Sequence, residues 1–180
     1  MIARKKGTDS KGITKDFFDY TKFAIASCSN WLSPALVITF IDDGKFHLKY
    51  TVSKFLQILL TYGKGIILIT QCLSHTTAIN SGDIKESRKS LKDAANMDEA
   101  INLLLPPTDS KPDGTFRYSN TGLHIAATVI KKIGGKDFKP LFAERIAAKC
   151  GMRNTEFGDN KLPLAAGGAL SAAKDYLQFL

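Results

Sequence analysis

The sequence predicts a single domain built mainly of helices. Its 180 residues, 44% of them hydrophobic, suffice for one core and are too few for two. Apolar residues recur at helical spacing in several segments, and only one run, Ile66 to Thr70, reads as extended.

Residues 1 to 22 are rich in Lys, Asp, Thr and Gly and read as an irregular lead-in or the remnant of a strand connection. From Ser27 onward Trp31, Leu32, Ala35, Leu36, Ile38 and Thr39 recur at helical spacing. Asp42-Asp43-Gly44 closes that helix with a glycine suited to a left-handed position. Thr51 to Leu56 reads as a short helical turn, Tyr62 to Gly65 as a loop, and Gln71 to Ser74 as another short helix. Ser81 to Lys92 is charged and expected to be exposed, and Met97 to Leu105 is helical up to Pro106-Pro107. A loop to Gly114 then delivers Tyr118-Ser119-Asn120 to a strong helix, Thr121 to Ile133, stopped by Gly134-Gly135. A helix from Asp137 to about Ala148, a turn-rich stretch from Gly151 to Lys161, a flexible hinge at Ala165 to Gly168 and a last amphipathic helix from Ser171 complete the chain.

The net charge of +8 would suit an acidic polymer or an anionic surface. Its lysines are scattered, however, and only Arg4-Lys5-Lys6 clusters, without the interleaved aromatics that a nucleic-acid surface uses, so no nucleic-acid partner is expected. Cys28, Cys72 and Cys150 are three at unrelated spacings, which suggests free thiols rather than a disulfide framework or a metal site. His47 and His124 lack a second ligand at metal spacing, so neither metal nor cofactor is expected. The first residues lack the apolar stretch of an export signal, and no apolar run approaches the length needed for a transmembrane segment.

Ser27 stands just ahead of a helix, where backbone N–H groups favour developing negative charge. It can be a nucleophile or a helix cap. A serine nucleophile needs a base, and the residue three positions on is Asn30, whose carboxamide has no useful proton affinity. Tyr118, Ser119 and Asn120 form a phenol, hydroxyl and amide cluster that can relay protons or bind an amide, or can simply be a turn with Asn as cap. His75, in the polar turn Ser74 to Thr77, reads as a loop anchor. Cys28 is an alternative nucleophile without an evident base.

Four ordered blocks resemble the family of class C serine β-lactamases, low-molecular-weight penicillin-binding proteins and related esterases. Phe23 to Asn30 is similar to F-x-I-A-S-x-[ST]-K, and Gln71 to Ile79 to L-L-S-H-T-S-G-[IL]. Phe116 to Gly122 is similar to F-x-Y-S-N-x-[GA], and Ala166 to Ser171 to A-G-G-[LM]-x-S. The resemblance implies an α/β fold in which a helical region packs on an antiparallel sheet built from both chain ends, with acyl transfer through a serine ester at their junction. It also implies Ser27 as the nucleophile position, Tyr118 as base or proton relay, and Asn120 as a substrate-holding amide, acting on a β-lactam, peptide or ester. Members of the family are often periplasmic or secreted, while the sequence leaves the location of this chain open.

Several departures from the pattern bear on activity. Asn30 takes the lysine position, Pro34 falls inside the nucleophile helix at a cost of about 3 kcal/mol, and Ala78 replaces a usual glycine. The family's third motif and last sheet strands would lie past Leu180, and the strands expected before the nucleophile block are not visible. Residues 23 to 180 are therefore expected to be a partial, mostly helical domain, a truncated fragment or decayed gene product with impaired hydrolysis. Its uncovered core face favours self-association. The competing functions are a non-catalytic module for peptidoglycan-like peptides and an oligomerising structural fragment.

Overall fold

Helix Asn120–Gly134 forms the centre of the fold: every residue from Thr121 to Ile130 is buried, the polar Thr121, His124 and Thr128 included, while Lys131 and Lys132 occupy its last turn. The computed structural model describes residues 5–8, 11–79, 89, 92–105, 112–158 and 164–180. In chain order its strands are β1 (Lys5–Thr8), β2 (Thr14–Phe17), β3 (Phe23–Ala24), β4 (Glu156–Phe157) and β5 (Ala169–Ser171). Its principal helices are α1 (Ser29–Asp42), α2 (Ile58–Thr61), α3 (Ile69–Leu73), α4 (Met97–Leu104), α5 (Asn120–Gly134), α6 (Phe138–Phe142) and α7 (Ala173–Phe179). The central α5 packs against α1, α3, α4 and α6.

Helix α1 buries Leu32, Leu36, Val37 and Phe40 on one side. It continues past Pro34 to Asp42, although proline has no N–H to offer the Asn30 carbonyl. Its end is closed as the sequence suggests: Gly44 adopts φ 69° and its N–H donates to the Ile41 carbonyl at 2.8 Å. Arg145 then fastens this end, lying 4.1 Å over the Phe40 ring and donating to Thr39 Oγ1 at 2.9 Å. Helix α5 stops at Gly135 in the left-handed conformation, φ 65°.

Helix α3 starts at Ile69, two residues earlier than expected, because Gln71 Oε1 accepts from the Leu68 N–H at 2.9 Å and caps the turn. The extended run is correspondingly short and pairs through the Thr51–Leu68 bridge. Gly122 brings α5 onto α3: a Cβ at that position would stand 2.8 Å from the Cys72 carbonyl oxygen. Asn96 caps α4 by accepting from Glu99 N–H at 2.9 Å, and Glu99 reciprocates at Ala95 N–H.

Strands appear where the sequence shows only polar or turn-rich chain. β1 and β2 pair antiparallel with Lys5 opposite Phe17, and β3-β5-β4 form a second antiparallel sheet. Strands therefore do precede the nucleophile block, β4 lies within the stretch read as turns, and β5 replaces the start of the last helix. Two- to four-residue strands carry too little alternation to read, and their pairing with distant segments defines them. Phe157 of β4 joins sheet to helices, its ring meeting Phe138 at 4.9 Å and Phe142 at 5.0 Å edge to face. Arg4, most of the charged segment from Ser81, and Pro106-Pro107 lie outside the described residues.

His124 of α5 is 3% exposed, and its Nδ1 has no hydrogen-bond partner among the described residues. Burial pushes its imidazole down to about 4 from the usual 6.5, so the folded chain holds it neutral while the unfolded chain binds a proton below pH 6.5. The stability this neutral group permits is complete above pH 6.5 and falls as pH drops toward 4, by about 3 kcal/mol in total. Urea unfolding of the wild type between pH 7 and 4.5 should show this loss, and His124→Leu should flatten the slope by that amount.

Candidate active site

Ser27 lies in a single 3₁₀ turn, Ala26–Cys28, that leads directly into α1. Its side chain is exposed, and its hydroxyl makes no hydrogen bond among the described residues. The preceding Ala26 holds φ 43°, a left-handed conformation that costs a residue with a Cβ about 1–2 kcal/mol. Ser29 secures that turn, donating through Oγ to the Ala26 carbonyl at 2.7 Å and accepting from Ala169 N–H at 3.1 Å. One turn on, Ser33 donates to the Ala165 carbonyl.

These two serines were not singled out by sequence reasoning. The available signal was their i, i+4 spacing on the buried side of α1, since buried hydroxyls require partners. Their effect is to pin, at Ala165 and at Ala169, both ends of the Ala165 to Gly168 stretch that the sequence suggests as a flexible hinge. Ala165 and Ala166 within it are buried.

Tyr118, in the loop before α5, meets Asn30 although 88 residues separate them: Asn30 Nδ2 donates to the phenol oxygen. Asn30 Oδ1 is buried with no hydrogen-bond partner among the described residues. Tyr118 remains 52% exposed, so its ring faces outward as well as toward Asn30. Asn120 follows as the first residue of α5, half-buried and two positions from Tyr118.

His75 anchors this loop. Its Nδ1 lies 2.9 Å from the Ser119 carbonyl oxygen, its own carbonyl accepts from Arg117 N–H at 2.8 Å, and its ring lies 4.6 Å from that of Tyr118. Before it, the Arg117 guanidinium chelates Asp113, and these hydrogen bonds hold the Asp113 carboxyl well below the usual carboxylate range.

The thiols fall into different roles. Cys72 is fully buried, and desolvation pushes it up to about 12, which excludes a thiolate nucleophile there. Cys28 is exposed beside Ser27, and its carbonyl accepts from the Tyr176 hydroxyl at 3.1 Å. Burial, followed by Cys28, raises the Tyr176 phenol. Among the described residues no three of His, Cys, Asp and Glu gather as a metal-binding group.

Chemically, the site offers a serine hydroxyl open to solvent, a phenol and two carboxamides. Asn30 can orient the phenol but cannot take up a proton from Ser27, because the amide nitrogen has no available lone pair.

The Beta-lactamase family model matches residues 16–180. Among solved structures, a candidate β-lactamase from Bacteroides dorei is 28% identical with a TM-score of 0.76, the match covering 93% of this chain and 52% of that one. A D-amino acid amidase from Ochrobactrum anthropi, in complex with L-phenylalanine, is 19% identical with a TM-score of 0.74, covering 99% and 62%. An octameric penicillin-binding protein homologue from Pyrococcus abyssi is 18% identical with a TM-score of 0.75, covering 92% and 48%. The last two share the fold alone, and the chain spans 48% to 62% of the length of these three. No curated relative matches the chain.

Ala78, just beyond His75, adopts φ 58°, as does His75 at φ 57°. An alanine there carries a steric cost that glycine lacks, partly offset by glycine's greater freedom when unfolded. Ala78→Gly should therefore raise stability by about 0.5–1 kcal/mol, read as a higher urea midpoint at unchanged slope.

Proposed function

Because the chain belongs to the β-lactamase family, we propose that it holds an acyl-serine hydrolase site in which acyl transfer is impaired. Ser27 is the nucleophile position, Tyr118 the proton relay and Asn120 the amide that holds an acyl substrate, which is a β-lactam, a peptide or an ester. One observation carries the reading: the residue facing Tyr118 from one turn after Ser27 is an asparagine, donating through Nδ2. A lysine at that place could give up a proton and accept another, whereas a carboxamide can do neither at neutral pH. That the Ochrobactrum protein is a D-amino acid amidase agrees with an amide among the substrates.

The same asparagine favours recognition over turnover. A site that retains the phenol, the Asn120 amide and an open serine can still bind a peptide or lactam carbonyl without cleaving it quickly. Assays with nitrocefin and p-nitrophenyl esters test this. Wild-type turnover should match that of Ser27→Ala, while Asn30→Lys should give Ser27-dependent acylation detectable by mass. Serine-dependent turnover in the wild type, well above the Ser27→Ala control, would overturn the reading.

Self-association is a second proposal, favoured by Trp31 and Ile38, which lie 66% and 37% exposed two turns apart on α1. The octameric Pyrococcus homologue shows that this fold can assemble. Sedimentation velocity should reveal concentration-dependent association that weakens in the Trp31→Gln, Ile38→Gln double variant, and a monomer at all concentrations would count against it. Among the described residues no helix is long and apolar enough to cross a membrane.

A further inference from the structure

From Gly44 to Gly82 the sequence contains four lysines and two histidines but no Asp or Glu, and this stretch supplies half of the net charge of +8. The same stretch exposes large aliphatic side chains: Ile58, Leu60 and Ile66 are 37%, 61% and 55% exposed. Ile58 and Leu60 share the short helix α2, and Leu60 lies against Gly65, the chain neighbour of Ile66. A Cβ on Gly65 would come 2.3 Å from Leu60 Cδ2 and 3.1 Å from Ser53 Cβ, so Ile66, Leu60 and the Ser53-Lys54 turn share one surface. Lys54 extends its ammonium 3.6 Å above the Tyr50 ring, and exposed Lys49 is adjacent in sequence to Tyr50. Lys64 is buried and takes no part.

We propose that this surface docks peripherally on an anionic lipid bilayer. Ile58, Leu60 and Ile66 enter the boundary between headgroups and acyl chains, and Lys49 and Lys54 remain at the level of the lipid phosphates. Aliphatic tips flanked by ammonium groups suit such an interface, where apolar burial and attraction to anionic lipid act together. A second copy of the chain would set like charges against each other. A single-stranded nucleic acid would call for exposed aromatic rings on which to stack, whereas the large exposed side chains here are aliphatic and the Tyr50 ring lies beneath the Lys54 ammonium. The proposal uses none of the residues assigned to the acyl site, and it stands whether or not Ser27 reacts.

Co-sedimentation of the whole chain with vesicles of phosphatidylcholine alone, and of phosphatidylcholine mixed with phosphatidylglycerol, tests this. Saturable binding is expected for the mixed vesicles and little for the zwitterionic ones. Lys49→Gln and Lys54→Gln should each weaken it about fivefold, and added salt should weaken it further. The Leu60→Gln, Ile66→Gln pair should weaken it about tenfold or more, with Ile58→Gln as an independent check. Circular dichroism and the urea midpoint should stay at wild-type values in every variant. Failure to bind the anionic vesicles would overturn the proposal. Vesicle binding indifferent to Leu60, Ile66 and Ile58, accompanied by equal binding to soluble polyphosphate, would also overturn it, making this a polyanion surface.

Discussion

The contact on which the arrangement depends is the approach of Gly122 to the Cys72 carbonyl. Both ends of the candidate site follow from it. Helix α3 ends two residues before His75, and α5 begins two residues after Tyr118, so pressing one helix onto the other sets His75 beside Tyr118 and Ser119. A Cβ at residue 122 would meet backbone rather than a movable side chain. Relief would require the helices to separate, and the His75 contacts would be strained with them.

Against that fixed pair, α1 presents Asn30 to Tyr118. In the proposed acyl site, geometry and chemistry are thereby separated. Three elements converge at the candidate site, and the group at their meeting point is a neutral amide, which cannot cycle a proton. Orientation alone contributes to binding, but a hydroxyl must lose its proton to become a strong nucleophile. The β-lactamase family fold is compatible with either outcome, since function resides in the site rather than in the scaffold.

The long helices were legible because burial and capping leave local marks. Gly44 and Gly135 occupy left-handed positions at the ends of α1 and α5, where the sequence puts stops. The anchoring contacts of His75 were also suggested by its polar turn. What escaped reading depends on distant partners: two-residue strands, and the hydroxyls of Ser29 and Ser33, which meet the Ala169 N–H and the Ala165 carbonyl beyond residue 160. Pro34 was misleading in its severity. A tertiary setting that buries Leu32, Leu36 and Phe40 holds the helix through the missing hydrogen bond.

The Ser29 hydroxyl also ties the site to the order of synthesis. Its donor, Ala169, emerges 140 residues after it, and the Ile25 N–H waits for the same residue's carbonyl. Until then nothing from β5 holds the strained Ala26 turn against the helix. Closure over so long a loop is slow relative to helix formation. The turn that carries Ser27 thus waits for β5, and a nascent chain keeps Ser27 out of its finished geometry until Ala169 has been made and has closed onto it.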